Sequence, residues 1–163
     1  NLNFQMDKKL ITYLTQRDIR YTVYNHPAIF TVSESKKLNL KIPGAHTKNL
    51  FLKDEKLNFY LICCLGDKRV NLKELKKHLS VKELHFASLE ELKKELQTTP
   101  GSVSLFAMIY SSSVKLLLDQ EIWDSDLVGF HPNVNTSTLV LTHKDLKIFY
   151  DSLKCRKEVL KIA

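Results

Sequence analysis

The sequence predicts an α/β fold of the α+β type, in which a mixed, mostly antiparallel sheet is flanked by helices. Short β-rich segments alternate with amphipathic helical segments along the 163 residues. Several connections are too short to hold the crossover helix that joins parallel strands. The four glycines are scattered, and they form no glycine-rich loop of the kind that binds phosphate in doubly wound folds.

Five helices are indicated by apolar residues at helical spacing and by residues that cap helix N-termini. The residues at or near their N-termini are, in order, Asp7, Thr31, Asn71, Ser88 and Thr142. The second helix must end before Pro43-Gly44, because this dipeptide does not continue a helix. The fourth has Glu91 three residues after Ser88, the spacing of a capping box.

The strands are predicted from runs rich in β-branched, aromatic and other apolar residues. The main predicted strands are residues 49–53, 58–65, 103–110, 114–118, 127–130 and 137–141. The first two flank Asp54-Glu55-Lys56, which predicts a hairpin near the centre of the sheet. The next two predict a second hairpin joined through Ser111–Ser113, and the last two flank His131-Pro132-Asn133.

A single domain is expected for residues 6–163. The chain contains 44% apolar and 26% charged residues, close to the globular average. Residues 1–5 resemble the end of a protease-cleavable expression tag, and no signal peptide follows Met6. No run approaches the roughly 18 apolar residues that a membrane span requires, so we expect no membrane partner.

The cysteines indicate a reducing compartment, and a cytoplasmic location is expected. Cys63, Cys64 and Cys155 are odd in number, two of them adjacent in an apolar run and the third in the predicted last helix. We interpret all three as structural. The chain has neither C-x-x-C nor H-E-x-x-H spacing, so no metal site is predicted.

The net charge of +7, from 25 Lys and Arg against 18 Asp and Glu, favours a polyanionic partner. Nucleic acid, an acidic protein and a phospholipid surface all remain possible on charge alone. Many lysines also fall on the outer faces of predicted helices, where a solvated surface is the more frequent explanation. Lys68 and Arg69 have the same two interpretations, as RNA contacts or as solubilising charges.

Three polar loop segments interrupt the apolar pattern: residues 43–49 (PGAHTKN), 100–104 (PGSVS) and 129–136 (GFHPNVNT). If the strands that carry them are neighbours, the segments bring a lysine, a histidine, amides and backbone N–H groups to one concave edge. Such a set of donors suits an anionic ester.

Lys48 and His131 are the candidate catalytic residues. The Lys48 ammonium at a strand entrance can hold a carbonyl or phosphate, although a solvated lysine is the alternative. The His131 imidazole can hydrogen-bond a ribose or an amine, whereas a buried histidine with satisfied hydrogen bonds is its alternative. We interpret four further histidines as structural or exposed: His46, His78, His85 and His143.

The remaining candidates concern the walls of a substrate pocket. Gly101 and Ser102 are expected to shape a loop that presents N–H groups, and Gly129 to allow close backbone approach. Pocket walls are expected from Thr31, Val103 and Phe130. Each of these residues also fits an ordinary turn or core position.

The sequence resembles the YbaK/ProX family, which includes free-standing deacylases and the editing insertions of bacterial prolyl-tRNA synthetases. The resemblance lies in five segments: His26-Pro27-Ala28 with Thr31, residues 42–54 (IPGAHTKNLFLKD), 66–70 (GDKRV), 99–104 (TPGSVS) and 129–138 (GFHPNVNTST). Their order and spacing span most of the chain. The second and last segments are most similar to the branch that deacylates alanyl-tRNA for proline.

The resemblance implies a barrel-like mixed sheet, a cleft at one edge, no cofactor, and a mischarged tRNA for proline as the partner. It favours the functional interpretation of Lys48 and His131, and it adds Asn49 and Asn135 as substrate-binding groups. It also implies a deacylase in which the terminal ribose hydroxyl of the substrate positions the attacking water. Docking on prolyl-tRNA synthetase is a further possibility.

One departure from the family pattern keeps the substrate open. Leu105 and Ala107 follow the 99–104 segment, where family members often carry proline and glycine. Serine and cysteine therefore remain alternatives to alanine. A non-catalytic module that binds tRNA or a synthetase, and a hydrolase of small-molecule esters, remain alternative functions.

Overall fold

The computed structural model describes residues 6–29, 32–39 and 41–163. Its helices are α1 (Lys8–Gln16), α2 (Val32–Asn39), α3 (Leu72–Leu79), α4 (Leu89–Leu96), a 3₁₀ helix (Leu105–Tyr110), α5 (Gln120–Trp123) and α6 (His143–Ser152). Its strands are β1 (Thr22–Asn25), β2 (Ala45–Lys53), β3 (Phe59–Leu65), β4 (His85–Phe86), β5 (Lys115–Asp119), β6 (Leu127–Phe130), β7 (Ser137–Thr142) and β8 (Lys157–Leu160).

The predicted helices are present, because their start signals are local. Asp7 accepts hydrogen bonds from the Lys9 and Leu10 N–H groups, and Asn71 and Thr142 cap α3 and α6. Ser88 and Glu91 form the predicted capping box of α4. Helix α2 ends at Asn39, ahead of Pro43-Gly44. The predicted cap of α2 at Thr31 lies outside the described residues.

The sheet is mixed, as predicted. Its strand order is β1-β7-β6-β2-β3-β5-β8, with β4 paired to β2. The pairs β1–β7, β6–β7, β2–β3 and β2–β4 are antiparallel. The pairs β2–β6, β3–β5 and β5–β8 are parallel. The predicted β2–β3 hairpin lies at the centre of this order.

A buried carboxylate fixes the turn of that hairpin. Asp54, which is 2% exposed, accepts hydrogen bonds from the Lys56 and Asn58 N–H groups at 2.8 and 3.0 Å. The Asn58 amide and the Tyr60 hydroxyl donate to its other oxygen at 3.0 and 2.7 Å. The carboxylate thereby joins the turn to the first residues of β3.

The predicted hairpin of residues 103–110 and 114–118 is wrong. Residues Leu105–Tyr110 form a 3₁₀ helix, whose first turn is capped by Ser104, and β5 pairs in parallel with β3 and β8. The error has a physical cause: Leu105, Phe106 and Ala107 are all fully buried, and an apolar run that is buried on every side shows neither helical nor strand periodicity. Cys155 also differs from expectation, because it is buried after the end of α6.

The sheet separates two apolar clusters, and alternate residues of β3 point to opposite ones. Leu61 and Cys63 belong to the larger cluster, with α1, α4, the 3₁₀ helix and α6. Ile62 and Cys64 belong to the smaller cluster, with Leu75 of α3. Neighbouring residues of the central strands therefore face different surroundings.

Candidate active site

A cleft of about 240 Å³ opens where β2 enters the sheet beside β6 and β7, with α2 as its other wall. The start of β2 approaches β6 at Gly44, whose φ is +93° and whose Cβ position would lie 2.8 Å from the Leu127 carbonyl oxygen. Only glycine fits this conformation and this contact. The polar side chains that line the cleft include His46, Thr47, Lys48, Asp67, His131 and Thr138.

Lys48 and Asn49, which the sequence predicts together, face opposite sides of the sheet. Lys48 pairs with Cys64 and Asn49 with Cys63, and these two cysteines belong to the smaller and larger clusters. Lys48 lines the cleft. The Asn49 amide instead donates to the Val103 carbonyl at 3.3 Å, so the structure does not bring it to the cleft.

The Lys48 ammonium is available to a ligand. Among residues 6–29, 32–39 and 41–163, it makes no hydrogen bond or ion pair. Its cross-strand neighbour Cys64 is not a nucleophile at neutral pH, because burial raises the pKa of the thiol to about 11 despite the nearby Lys48 charge. This supports the interpretation of Cys64 as structural.

His131 lies in the cleft as a partly buried, neutral imidazole. Its Nδ1 donates to the Ser137 carbonyl, 3.0 Å away, and Nε2 is left as an acceptor. Burial lowers the pKa of His131; the hydrogen bond to Ser137 opposes this shift and the nearby His26 adds to it. The Ser104 hydroxyl donates to the His131 carbonyl from behind the cleft.

Gly129 and Phe130 lie beside His131 and also line the cleft. The Gly129 carbonyl accepts a hydrogen bond from the Thr47 hydroxyl at 2.7 Å, which joins β6 to β2. The Phe130 side chain is 1% exposed and packs edge-on against Phe106 at 5.5 Å between ring centroids. Phe130 is therefore mainly a core residue that contributes to the cleft wall.

The 100–104 segment supports the cleft from behind, contrary to the expectation that it lines the cleft. Gly101, Ser102 and Val103 are outside the lining of the cleft, as is Asn135. A Cβ on Gly101 would lie 3.5 Å from the Asn135 amide nitrogen, so these two loops meet each other. The Ser102 N–H donates to the Thr99 carbonyl at 2.9 Å and is not free for a ligand.

The structure contradicts one of the two other expectations for the pocket wall and does not test the second. Val103, 9% exposed, belongs to the larger apolar cluster. Thr31 lies outside the described residues.

Four further residues of the cleft were missed as functional candidates, although each stands in a segment that carries the family resemblance. They are His46, Thr47, Asp67 and Thr138. His46 was interpreted as structural or exposed; it is half-buried, lines the cleft, and its Nε2 lies 3.2 Å from the Asn39 carbonyl of α2. The signal that marks these residues in the sequence is their position inside the motif segments.

Lys68 fits neither of its two interpretations, RNA contact or solubilising charge, because its mostly buried side chain forms ion pairs within the protein. Its ammonium lies 2.6 Å from Asp119, which is fully buried, and 2.7 Å from Glu121. It also donates to the Ile162 carbonyl at 2.8 Å. Despite desolvation, these carboxylates raise the pKa of Lys68. These contacts hold the 66–70 segment, and with it Asp67 of the cleft, against β5, α5 and the residues that follow β8.

A second hollow of about 840 Å³ continues from the cleft along α2. It shares Lys36, Asn39, His46, Gly66 and Asp67 with the cleft and adds Lys37. Lys36 and Lys37 are both exposed. The site is thus a small cleft that opens into a larger, positively charged groove.

Over the described part of the chain, the side chains of His, Cys, Asp and Glu form no group of three or more that could hold a metal ion. A search of the same residues for membrane spans finds no helix with the length and apolar character that crossing a bilayer requires.

Comparison with known proteins agrees with the segments noted in the sequence. Residues 26–149 match the model of the aminoacyl-tRNA editing domain. The prolyl-tRNA editing protein ProX of Acetoanaerobium sticklandii is 33% identical over 147 residues, covering 87% of this chain and 90% of the relative. Prolyl-tRNA synthetase associated domain-containing protein 1 of Mus musculus is 35% identical over 137 residues, covering 80% of this chain and 81% of the relative.

Solved structures share the fold. The hypothetical protein APE2540 superposes with a TM-score of 0.75 at 18% identity, covering 95% of this chain and 99% of its own. A candidate trans-editing enzyme for prolyl tRNA synthetase superposes with a TM-score of 0.72 at 18% identity, covering 94% of each chain. By the match of its sequence over residues 26–149 and by its relatives, this chain belongs to the aminoacyl-tRNA editing domain family.

Proposed function

We propose that this protein is a trans-editing hydrolase that deacylates mischarged tRNA, with alanyl-tRNA for proline as its substrate. The observation that carries the proposal is that one small cleft is lined by both an available ammonium, Lys48, and a neutral imidazole, His131. The relatives named as a prolyl-tRNA editing protein and as synthetase-associated domains support tRNA for proline as the RNA and prolyl-tRNA synthetase as a partner.

The reaction is hydrolysis of an activated ester. Water attacks the carbonyl carbon, the bond from that carbon to the ribose oxygen breaks, and the ribose oxygen receives a proton as the amino acid leaves. The barrier lies largely in the oxyanionic intermediate, which a fixed cation or N–H donor stabilises. We assign this positive charge to Lys48, which lines the cleft from β2; the other lysine of the lining, Lys36, is exposed on α2.

The cleft holds no cysteine with a lowered pKa, so water itself is the nucleophile in this proposal. The pKa of Cys64, beside Lys48, is raised to about 11 by burial. The remaining ribose hydroxyl of the terminal adenosine is well placed chemically to orient that water, since it is adjacent to the ester. His131, with Nε2 as an acceptor, is proposed to bind the ribose or the amino group.

The dimensions and charge of the site suit this substrate. The cleft of about 240 Å³ suits a small amino acid, and the adjoining groove can receive the terminal nucleotides. Lys36 and Lys37 line that groove, where they can neutralise phosphates. Exclusion of proline by size is the central demand on such a pocket, because a synthetase cannot strongly reject a smaller amino acid.

The test is amino-acid release from tRNA for proline charged with alanine, serine, cysteine or proline. We expect the protein to release alanine and to leave prolyl-tRNA unhydrolysed. Lys48→Ala should lower kcat/KM by about 100-fold or more, the magnitude of losing one oxyanion stabiliser. Lys56→Ala is the matched control, because it removes an equal charge from an exposed residue in the far turn of the β2–β3 hairpin.

Two of the alternatives, a different amino acid and a non-catalytic module, have their own results in this assay. Faster release of serine or cysteine than of alanine would change the proposed substrate, but the proposed reaction, deacylation of tRNA, would stand. Binding of charged tRNA with no release from any substrate would support the non-catalytic module. A cytoplasmic location and a single domain over residues 6–163 remain predictions alongside this function.

A further inference from the structure

His26 forms a hydrogen bond with Thr138, a residue of the cleft lining, and the proposed reaction does not yet use this pair. His26 Nε2 lies 3.0 Å from Thr138 Oγ1, and His26 Nδ1 lies 2.9 Å from the Pro27 carbonyl oxygen. Thr138 is on β7, is 6% exposed and lines the cleft. The two residues are 112 positions apart.

The partners of His26 determine the direction of both hydrogen bonds in the neutral ring. A carbonyl oxygen only accepts, so Nδ1 carries the hydrogen that is donated to Pro27. Nε2 then has a lone pair, and the Thr138 hydroxyl must donate to it. The hydroxyl hydrogen is thereby directed away from any ligand, and the lone pairs of Oγ1 are left to accept.

The methyl group of Thr138 is held as firmly as its hydroxyl. A Cβ on Gly129 would lie 2.9 Å from Thr138 Cγ2, so the methyl occupies the space that a side chain at Gly129 would fill. In the described parts of the chain, Thr138 Oγ1 has no hydrogen-bond partner besides His26. A nearly buried oxygen in a cleft thus has acceptor capacity that the protein does not satisfy.

The cleft is therefore complementary to a ligand with both a donor and a negative oxygen. Thr138 Oγ1 offers an acceptor on β7, and Lys48 offers a cation on β2. His131, whose ring meets that of His26 edge-on at 5.9 Å between centroids, supplies a second acceptor beside Thr138. An aminoacyl ester carries an α-amino donor one carbon from its carbonyl oxygen.

We propose that Thr138 is a substrate-binding residue that accepts a hydrogen bond from the α-amino group of the aminoacyl ester, and that His26 is the positioning residue that orients its hydroxyl. This inference rests on the proposed function. It makes a free α-amino group part of what the enzyme recognises, so an acyl ester that lacks the amine is a poor substrate.

The experiment combines one substitution with one change in the substrate. Deacylation of alanyl-tRNA and of propionyl-tRNA, which lacks only the amine, is measured for the wild type and for Thr138→Val. Valine keeps the methyl beside Gly129 and removes the hydroxyl. We expect Thr138→Val to lower kcat/KM for alanyl-tRNA by about tenfold, the effect of one hydrogen bond to a charged group, and to change it less than about twofold for propionyl-tRNA.

Two further variants separate positioning from folding. Thr138→Ser restores the hydroxyl and should remain within about threefold of wild type on alanyl-tRNA, because the hydrogen bond is retained. His26→Ala should reduce activity on alanyl-tRNA alone, since the hydroxyl is present but no longer oriented. Thermal unfolding of each variant shows whether the fold is intact.

The outcomes are distinct. Equal losses on both substrates would overturn the inference, because they indicate a scaffold role for Thr138. A wild type that cleaves propionyl-tRNA as fast as alanyl-tRNA would also overturn it, without reference to any variant. A wild type that cleaves neither would overturn the proposed function itself, and this inference with it.

Discussion

The Thr138 methyl group fills the space beside Gly129 that a side chain at this position would need, because a Cβ on Gly129 would lie 2.9 Å from Thr138 Cγ2. Gly129 does not have a positive φ, so its role is to give room and not to adopt an unusual backbone conformation. Since β6 pairs with β7, this contact sets the position of Thr138 relative to the cleft.

Gly129→Ala should therefore displace Thr138. We expect an overpacking cost of about 1–3 kcal/mol in the free energy of unfolding, together with a larger loss of deacylation than stability alone explains. Gly101→Ala is the control, because its Cβ would meet only the Asn135 amide at 3.5 Å. Urea unfolding and alanine release check both variants; equal effects of the two substitutions would contradict the prediction.

His131 should titrate below the usual range for histidine. Its folded pKa is lowered from 6.5, mainly by burial. As the pH falls, His131 is therefore protonated in the unfolded chain before it is protonated in the folded protein. The contribution of the neutral ring to the free energy of unfolding is lost as the pH falls below about 6.5. NMR titration of the ring protons, with His131→Gln to identify the resonance, measures the pKa. A value at or above 6.5 would show that the imidazole is not desolvated.

Asp54 should stabilise the β2–β3 hairpin in a pH-dependent way. Burial alone would raise its pKa, but the hydrogen bonds from Asn58, Tyr60 and Lys56 prevail and the pKa is lowered from 3.8. The stabilisation is full above about pH 3.8 and is lost as the pH falls through the folded pKa.

Asp54→Asn should accordingly cost about 1–3 kcal/mol at pH 7, the range for leaving buried donors unsatisfied. The difference from wild type should shrink in acid, and urea unfolding at several pH values measures it. Tyr60→Phe removes one of the four hydrogen bonds and should cost less. A difference between wild type and Asp54→Asn that is constant from pH 7 to pH 3 would disprove the charge-dependent role.

We expect Lys68 to contribute to the stability of the fold and not to RNA binding. Lys68→Ala leaves the fully buried Asp119 without its cation, and we expect a cost of about 3–5 kcal/mol. Arg69→Ala, at the exposed next position, should stay within about 0.5 kcal/mol of wild type. Unfolding measurements check the pair, and tRNA binding by Lys68→Ala at a temperature where it is folded should match wild type. Selective loss of RNA binding would restore the RNA interpretation.

Local signals in the sequence were sufficient for most helices and for the central hairpin. Asp7, Asn71 and the Ser88–Glu91 box act within four residues of the helix ends that they cap. Strands β6 and β7 were recognisable as short apolar runs. The 3₁₀ helix of Leu105–Tyr110 was mistaken for a strand, because its burial comes from tertiary packing that no short window of sequence reveals.

The sequence predicts only part of the candidate site. The motif segments contained Lys48, His131 and Gly129, and the structure brings these three to one cleft. Asn49 is next to Lys48 in sequence but faces the opposite side of the sheet, towards Val103. Conversely, the 100–104 segment resembles a ligand loop but supports the site from behind.

The sequence by itself determined the starts of α1, α3, α4 and α6, the central β-hairpin and the family of this chain. The reason is that capping and turn chemistry act over short stretches, and motif spacing is read directly from residue order. Only the tertiary structure decided which groups meet in the cleft. His26 reaches Thr138 across 112 positions, and Lys48 and His131 line the same cleft because β2 pairs in parallel with β6. Such meetings depend on strand order, and strand order is a property of the whole packed sheet.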